Sequence, residues 1–311
     1  MKNKMFAVFL ILAGPALWAT DGTNSKPTIV TDQLVYPTAQ VLPALHLNAQ
    51  GGYVNLAKMT GWWPSLRLGL ADVVEVELTQ LGFYSDLQDT RQTIPTVGLK
   101  FGLPSPLRFL DLAVALYNAQ QWEYRRSDDY NIMSMYNSMR PYDDAWANLR
   151  RVDFESIYSR LDFLASLSVG KSLRLHSAAY YLESKSRNLS AVWEEPDSLS
   201  TYEEAGTVKN SMSGFALGLS YARNPDLTYL VQWVIQPQYH FDVDAKELIL
   251  ESRYVWIAGI RYRLIGSIYF DLGAFSEEAN GSLSDVQVYS MLSVRVNGPR
   301  IVRIIRDIIK R

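Results

Sequence analysis

The chain has no cysteine, only three histidines, and no apolar run of membrane-helix length. Without disulfides, an exported chain has to be held by backbone pairing or by its own packing. Without a long apolar run, a helical membrane protein is excluded, since one span needs about 20 apolar residues. The catalytic inventory is also thin. No G-x-S-x-G, His-Glu-x-x-His, phosphate-loop or dinucleotide fingerprint occurs, and His46, His176 and His240 are far apart in sequence. An enzyme is therefore not expected, and no cofactor or metal is called for. The acid pairs Asp128-Asp129 and Asp143-Asp144 match no metal-loop spacing. The net charge is −2, and residues 299–311 hold five basic side chains against one acidic, so the body of the chain is more acidic than the total. That composition does not favour nucleic acid as a partner.

What the chain does contain is a signal-like start. Lys2 and Lys4 precede the uncharged residues 5–12, Gly14-Pro15 breaks the run, and Ala16 to Ala19 offer small residues for cleavage. Residues 1–19 therefore read as a secretory signal and 20–37 as a polar lead-in. Residues 298–311 carry Ile301, Ile304, Ile305, Ile308 and Ile309 at helical spacing among Arg and Lys. They read as a short basic amphipathic helix lying on a membrane surface.

Between these ends, residues 38–297 alternate apolar with polar. Period-two segments can be drawn at about 41–57, 65–70, 73–82, 93–102, 107–118, 153–168, 172–183, 212–222, 227–236, 250–263, 266–276 and 284–297. Short and long gaps alternate between them. The long ones fall at 58–64, 84–92, 119–152, 184–211, 238–249 and 277–283. This is how an antiparallel up-and-down transmembrane β-barrel of about twelve strands reads, with tight turns at one rim and large loops at the other. Nineteen Tyr and eight Trp suit aromatic girdles.

Charge parity carries the reading. Leu110, Val231, Ile260 and Val294 share the apolar face of their segments, while the charges fall opposite. A bare charge facing lipid near the midplane costs roughly 2–4 kcal/mol. The inward face should then collect Arg67, Glu75, Glu77, Lys100, Asp111, Arg160, Asp162, Arg174, His176, Glu251, Arg253, Arg261, Arg263, Asp271 and Arg295. Such a wall admits two interiors: a polar channel that favours small anionic solutes, or a filled barrel whose charges pair. Residues 119–152 read as an aromatic-rich outer loop and 184–211 as a solvated acidic loop. The competing readings are a barrel enzyme acting on lipid and a soluble periplasmic β-protein with its apolar face inward around a ligand.

The stretches PTAQVLPALHL, LRLGLADVVEVELTQLGF, TVGLKFGL and LRFLDLAVALY resemble Gram-negative outer-membrane barrel families. So do LRLHSAAYYLES, GLSYARNPDLTYLVQW and IAGIRYRL. Those related to the exopolysaccharide-associated YjbH group come nearest. The resemblance implies a porin-like barrel in outer-membrane lipid, inserted by the barrel-assembly machinery. It also implies a passive role as a narrow channel or as an envelope element associated with surface polysaccharide. One departure is visible: such barrels usually end on a terminal aromatic, and this chain ends in Arg311.

Overall fold

The computed structural model describes residues 37–55, 60–62, 65–79, 91–126, 149–195, 198–242, 244–277 and 287–296. The expected signal, most of the lead-in and the basic tail lie outside these residues. The strands are β1 (Leu47–Asn55), β2 (Thr60–Trp62), β3 (Ser65–Ala71), β4 (Val74–Thr79), β5 (Arg91–Leu103), β6 (Leu110–Arg126) and β7 (Leu149–Val169). They continue as β8 (Leu173–Glu195), β9 (Ser198–Asn224), β10 (Leu227–Asp242), β11 (Glu247–Ile265), β12 (Ile268–Glu277) and β13 (Gln287–Val296).

Each strand from β3 to β13 pairs antiparallel with the next, and β1 pairs with both β3 and β13. The β1–β13 ladder runs from Leu47↔Val296 to Asn55↔Val288 and closes the cylinder. The short β2 folds back on β1 and stands outside the ring. The closed wall thus has twelve strands, as the alternation predicts. Closure leaves no sheet edge within hydrocarbon, where an unpaired backbone group would cost several kcal/mol.

Tight turns join β3 to β4, β7 to β8, β9 to β10 and β11 to β12 at one rim. Both ends of the described chain also lie at that rim, because β1 starts opposite the end of β13. Gly170 and Gly266 supply left-handed residues in two of these turns.

The outward face is greasy. Leu66, Leu78, Val97, Phe101, Leu116, Phe163, Leu175, Phe215, Leu217, Tyr229, Val231, Trp256, Tyr262 and Leu272 are all exposed. Their strand neighbours point inward and are buried or half-buried. The opposite arrangement, an apolar face packed in a dry interior, is not what the chain adopts. Outward aromatics cluster where β9, β10 and β11 meet. Trp233 stacks on Tyr254 at 5.8 Å between centroids and meets Phe215 edge-on at 5.0 Å.

Two features depart from the sequence reading. Residues 184–211 and 238–249, expected as loops, are mostly strand. β8, β9, β10 and β11 run on well past the apolar belt. Residues 41–46, expected to begin the first strand, are an irregular strap that buries Leu42 in the barrel and exposes Ala44 and Leu45 at its rim. Of residues 119–152, the parts at 119–126 and 149–152 are strand, and the rest lies outside the described residues.

β9 and β10 also part company. Their ladder ends at Val234↔Ala216, and above it β10 pairs with β11 alone. Tyr239 and Phe241 continue the face that β10 turns outward lower down, yet both are buried. Tyr239 meets Phe154 at 4.9 Å, and Phe241 lies 6.2 Å from both Trp193 and Tyr202. These partners belong to the inner faces of β7, β8 and β9. The upper β10–β11 hairpin has therefore folded in against that sheet. Tyr180 Oη donates 2.8 Å to the Ile235 carbonyl, Asn210 Nδ2 donates to the Leu248 carbonyl, and Ser184 hydrogen-bonds Tyr239. Tyr180 lies directly over Gly214. A Cβ there would sit 2.3 Å from its hydroxyl, so this close approach needs glycine.

Val231 stands mid-belt on β10. Val231→Arg should destabilise the inserted barrel by about 2–4 kcal/mol. Urea unfolding from lipid vesicles, monitored by Trp fluorescence, measures this, and Val231→Leu should change it little.

Candidate functional site

The site is the barrel interior. Ladder register places its charges opposite one another across strand pairs. Arg67 faces Glu77, Glu75 faces Lys100, and Arg261 faces Asp271. All six are buried. Arg67 Nε lies 3.1 Å from Glu77 Oε1, and Lys100 Nζ lies 3.0 Å from Glu75 Oε1. Arg261 grips Asp271 in two 2.7 Å hydrogen bonds, the fork geometry that suits a carboxylate. Arg160 pairs with Asp162 at 2.8 Å along one strand and lies over the Tyr117 ring at 4.6 Å. Arg295 lies over the Tyr269 ring at 4.9 Å.

The remaining predicted positions differ. Arg174 is half-buried, within electrostatic reach of Asp111. Arg263 pairs with Asp226 at 2.6 Å at the tight-turn rim. Glu251 is exposed on the upper β11, where the hairpin leaves the wall. The side chain of Arg253 lies outside the described residues.

The strap fills the interior at the tight-turn end. Thr38, Ala39 and Leu42 are buried there. Ala39 N donates 3.1 Å to Ser166 Oγ, and Leu42 N donates 2.9 Å to Glu75 Oε2. Gln40 Nε2 donates 3.2 Å to Asp111 Oδ2, and Ala44 N donates 2.9 Å to Asp72 Oδ1. Glu75 thus spends one oxygen on Lys100 and the other on the strap. Gly69 lets the strap in: a Cβ there would fall 2.1 Å from the Pro43 carbonyl oxygen. At the other end, Phe154, Tyr158, Leu182, Trp193, Tyr239, Phe241 and Leu248 form a dry cluster.

His176 is held between two serines. Its Nδ1 is 2.9 Å from Ser166 Oγ and its Nε2 is 3.0 Å from Ser220 Oγ. Nucleophilic catalysis needs a serine on one nitrogen and an orienting acceptor on the other, with room for substrate. Here both nitrogens meet serines, Ser166 is bound by the strap, and all three side chains are buried. The chain of bonds anchors the strap. His46 lies in the strap's last turn, with Nδ1 3.1 Å from the Ala44 carbonyl. His240 lies in β10, not in a loop. Among the described residues, no group of acids and histidines could hold a metal.

Sequence parity did not point to Ser166, Tyr117, Tyr180 or the strap. One signal was present: inward Gly98 and Gly214 lie directly opposite Tyr117 and Tyr180. A strand glycine on the buried face often marks such a close approach.

Beyond the belt, Arg187 Nε donates 2.7 Å to Glu155 Oε2, and Gln120 donates to the other oxygen. The Arg187 hydrogen bond is the main cause holding the Glu155 carboxyl below its usual range.

No family model and no curated protein matches the chain. Solved structures resemble it distantly. The translocator domain of the autotransporter NalP from Neisseria meningitidis is 10% identical with a TM-score of 0.42, over 95% of this chain and 96% of that one. The CymD monoaromatic hydrocarbon channel is 11% identical at 0.39, over 82% and 89%. The NanC porin is 9% identical at 0.39, over 80% and 98%. Likenesses this distant transfer no function, and the barrel is established by its own ladders.

Asp271→Ala removes the carboxylate that buried Arg261 grips and should cost about 3–5 kcal/mol. Arg261→Met with Asp271→Leu should recover most of it, as urea midpoints of the two variants will read. Arg187→Ala should move the Glu155 titration upward in a pH series of carboxyl carbon shifts. Since the folded carboxyl is depressed, its small stabilisation is present above the unfolded value and fades as pH falls through the folded one.

Proposed function

We propose that the chain is an integral outer-membrane β-barrel with a passive envelope role, its interior filled rather than open. One observation carries this: an apolar belt faces outward around a wall whose inward charges are paired. Hydrocarbon accepts the first and rejects the second unless it is turned inward. A soluble ligand-binding β-protein would turn its apolar face inward, the reverse of what is seen. The tight-turn rim, which carries both ends of the described chain, is then periplasmic, and the long ribbons of β7–β11 face outward from the cell. In this reading outer-membrane lipid surrounds the wall and the barrel-assembly machinery inserts it. Surface polysaccharide lies against the outer ribbons.

An anion channel is the less favoured version. Arg67, Arg160 and Arg261 face carboxylates at ion-pair distance, and Arg295 lies over a ring. An arginine so engaged has little field left for a passing anion. The strap and the aromatic cluster occupy the two ends of the same interior.

The test uses the full chain extracted in detergent. It should migrate differently on a gel before and after boiling, and it should give no stepped conductance in a planar bilayer. Recovery in the soluble periplasm without a heat shift would overturn the membrane placement. Large anion-selective steps would overturn the filled interior while leaving the barrel intact.

A further inference from the structure

β9 is the longest described strand, and over half of it has a ladder with only one described strand. Its ladder with β8 extends from Glu195↔Ser198 to Leu173↔Tyr221. Its ladder with β10 begins only at Ala216. From Ser198 to Phe215 no described strand pairs with its other side. No residue in that stretch is buried. The facing part of β8 buries Ser184, Ser186, Leu189, Ala191 and Trp193. An extended edge of this kind is a template for another strand.

We propose that this edge joins the chain to a second copy of itself in an apposed membrane, by antiparallel strand pairing centred on Gly206. The proposal rests on the membrane placement argued above. The charges along the edge select the register. About a two-fold axis at Gly206, Glu203 of one copy lies opposite Lys209 of the other, and Lys209 opposite Glu203. Both residues are exposed on the same face. Tyr202 then faces Asn210, and Ala205 faces Thr207. Centring the pair on Glu203, on Glu204 or on Lys209 would set each charge against itself. Opposite charges directly across a strand pair attract, and like charges repel.

Geometry selects the apposed membrane. Barrel strands lean about 35–45° from the membrane normal. Two copies in one bilayer are related by an axis along that normal, which cannot bring two leaning strands antiparallel. Copies in facing bilayers are related by an axis in the membrane plane, which can. The same constraint keeps the open edge from pairing copies within one membrane. Ser198–Phe215 is roughly 55–60 Å long at about 3.3 Å per residue. Leaning at about 40°, it spans a gap of roughly 45 Å between two surfaces.

The experiment places the full chain in phosphatidylcholine vesicles and follows vesicle clustering by light scattering. The unaltered chain should cluster them. Glu203→Lys vesicles alone and Lys209→Glu vesicles alone should stay dispersed. Mixing the two populations should restore clustering, because each variant then faces its opposite charge. Gly206→Cys, the chain's only thiol, should give disulfide-linked dimers between two differently tagged populations. Dispersed vesicles of the unaltered chain would overturn the proposal, and the edge would then be open to a foreign strand. A mixture that stays dispersed, or single variants that cluster as well as the parent, would overturn it too. The heat shift on a gel separates the two readings: clustering lost with the shift kept refutes this pairing, and the shift lost refutes the membrane placement.

Discussion

Everything in this molecule follows from closing a backbone ladder upon itself. The pairing of β1 with β13 gives every wall strand two neighbours, so hydrocarbon meets no unpaired peptide group. A closed antiparallel wall forces side chains to alternate between two solvents. One is lipid, which takes Leu, Val, Phe and Trp. The other is the interior, which takes what lipid refuses. With no cysteine in the chain, no cross-link shares this work.

A wall of twelve strands encloses more room than its own inward side chains fill. The chain meets that excess differently at its two ends. At the tight-turn end a piece of backbone enters, and its N–H groups are satisfied by wall side chains such as Ser166 and Glu75. A buried backbone segment needs such partners, because an unmade hydrogen bond costs about 1–3 kcal/mol. At the far end a hairpin folds in, and the filling is aromatic. Between them the cross-strand ion pairs hold each other. Their worth lies in what their loss would cost, since a lone buried charge is far worse than none.

The barrel was legible in the sequence and its filling was not. The parity of Leu110, Val231 and Ile260 against Arg67, Glu75 and Asp271 reported the wall, its strand number and the direction of each face, whereas Val294, of outward parity in β13, is buried instead of bared. Inward parity, however, names no partner. That Arg261 grips Asp271 depends on ladder register, which alternation does not encode. The strap was read as the start of a strand because residues 41–47 are apolar apart from His46 and run straight into β1. The outer ribbon was read as a loop for two physical reasons. Beyond the belt neither face has to be greasy, so Glu194, Glu195, Glu203 and Glu204 sit in strands as easily as in loops. A bulge at Asn188, with φ of 55°, then moves the inward set from even to odd positions. Buried Ser184 and Ser186 give way to buried Leu189, Ala191 and Trp193. A period-two search loses the strand at that point.

The same ion pair therefore means different things at different heights. Arg187–Glu155 and Arg261–Asp271 have the same 2.7 Å contact between the same groups. The first is in water, where its attraction is screened and loses to side-chain entropy, so it is worth little. The second is buried, where water screens it little and removing either charge is costly. A spanning strand needs about 9–11 residues, and β9 runs from Ser198 to Asn224. The length beyond that need is held by ladder bonds to β8 and by one aromatic cluster, not by lipid. A span calls for apolar side chains near Leu217 and Val231, whereas it makes no such demand on the outer half of β9, which carries Glu203, Glu204 and Lys209.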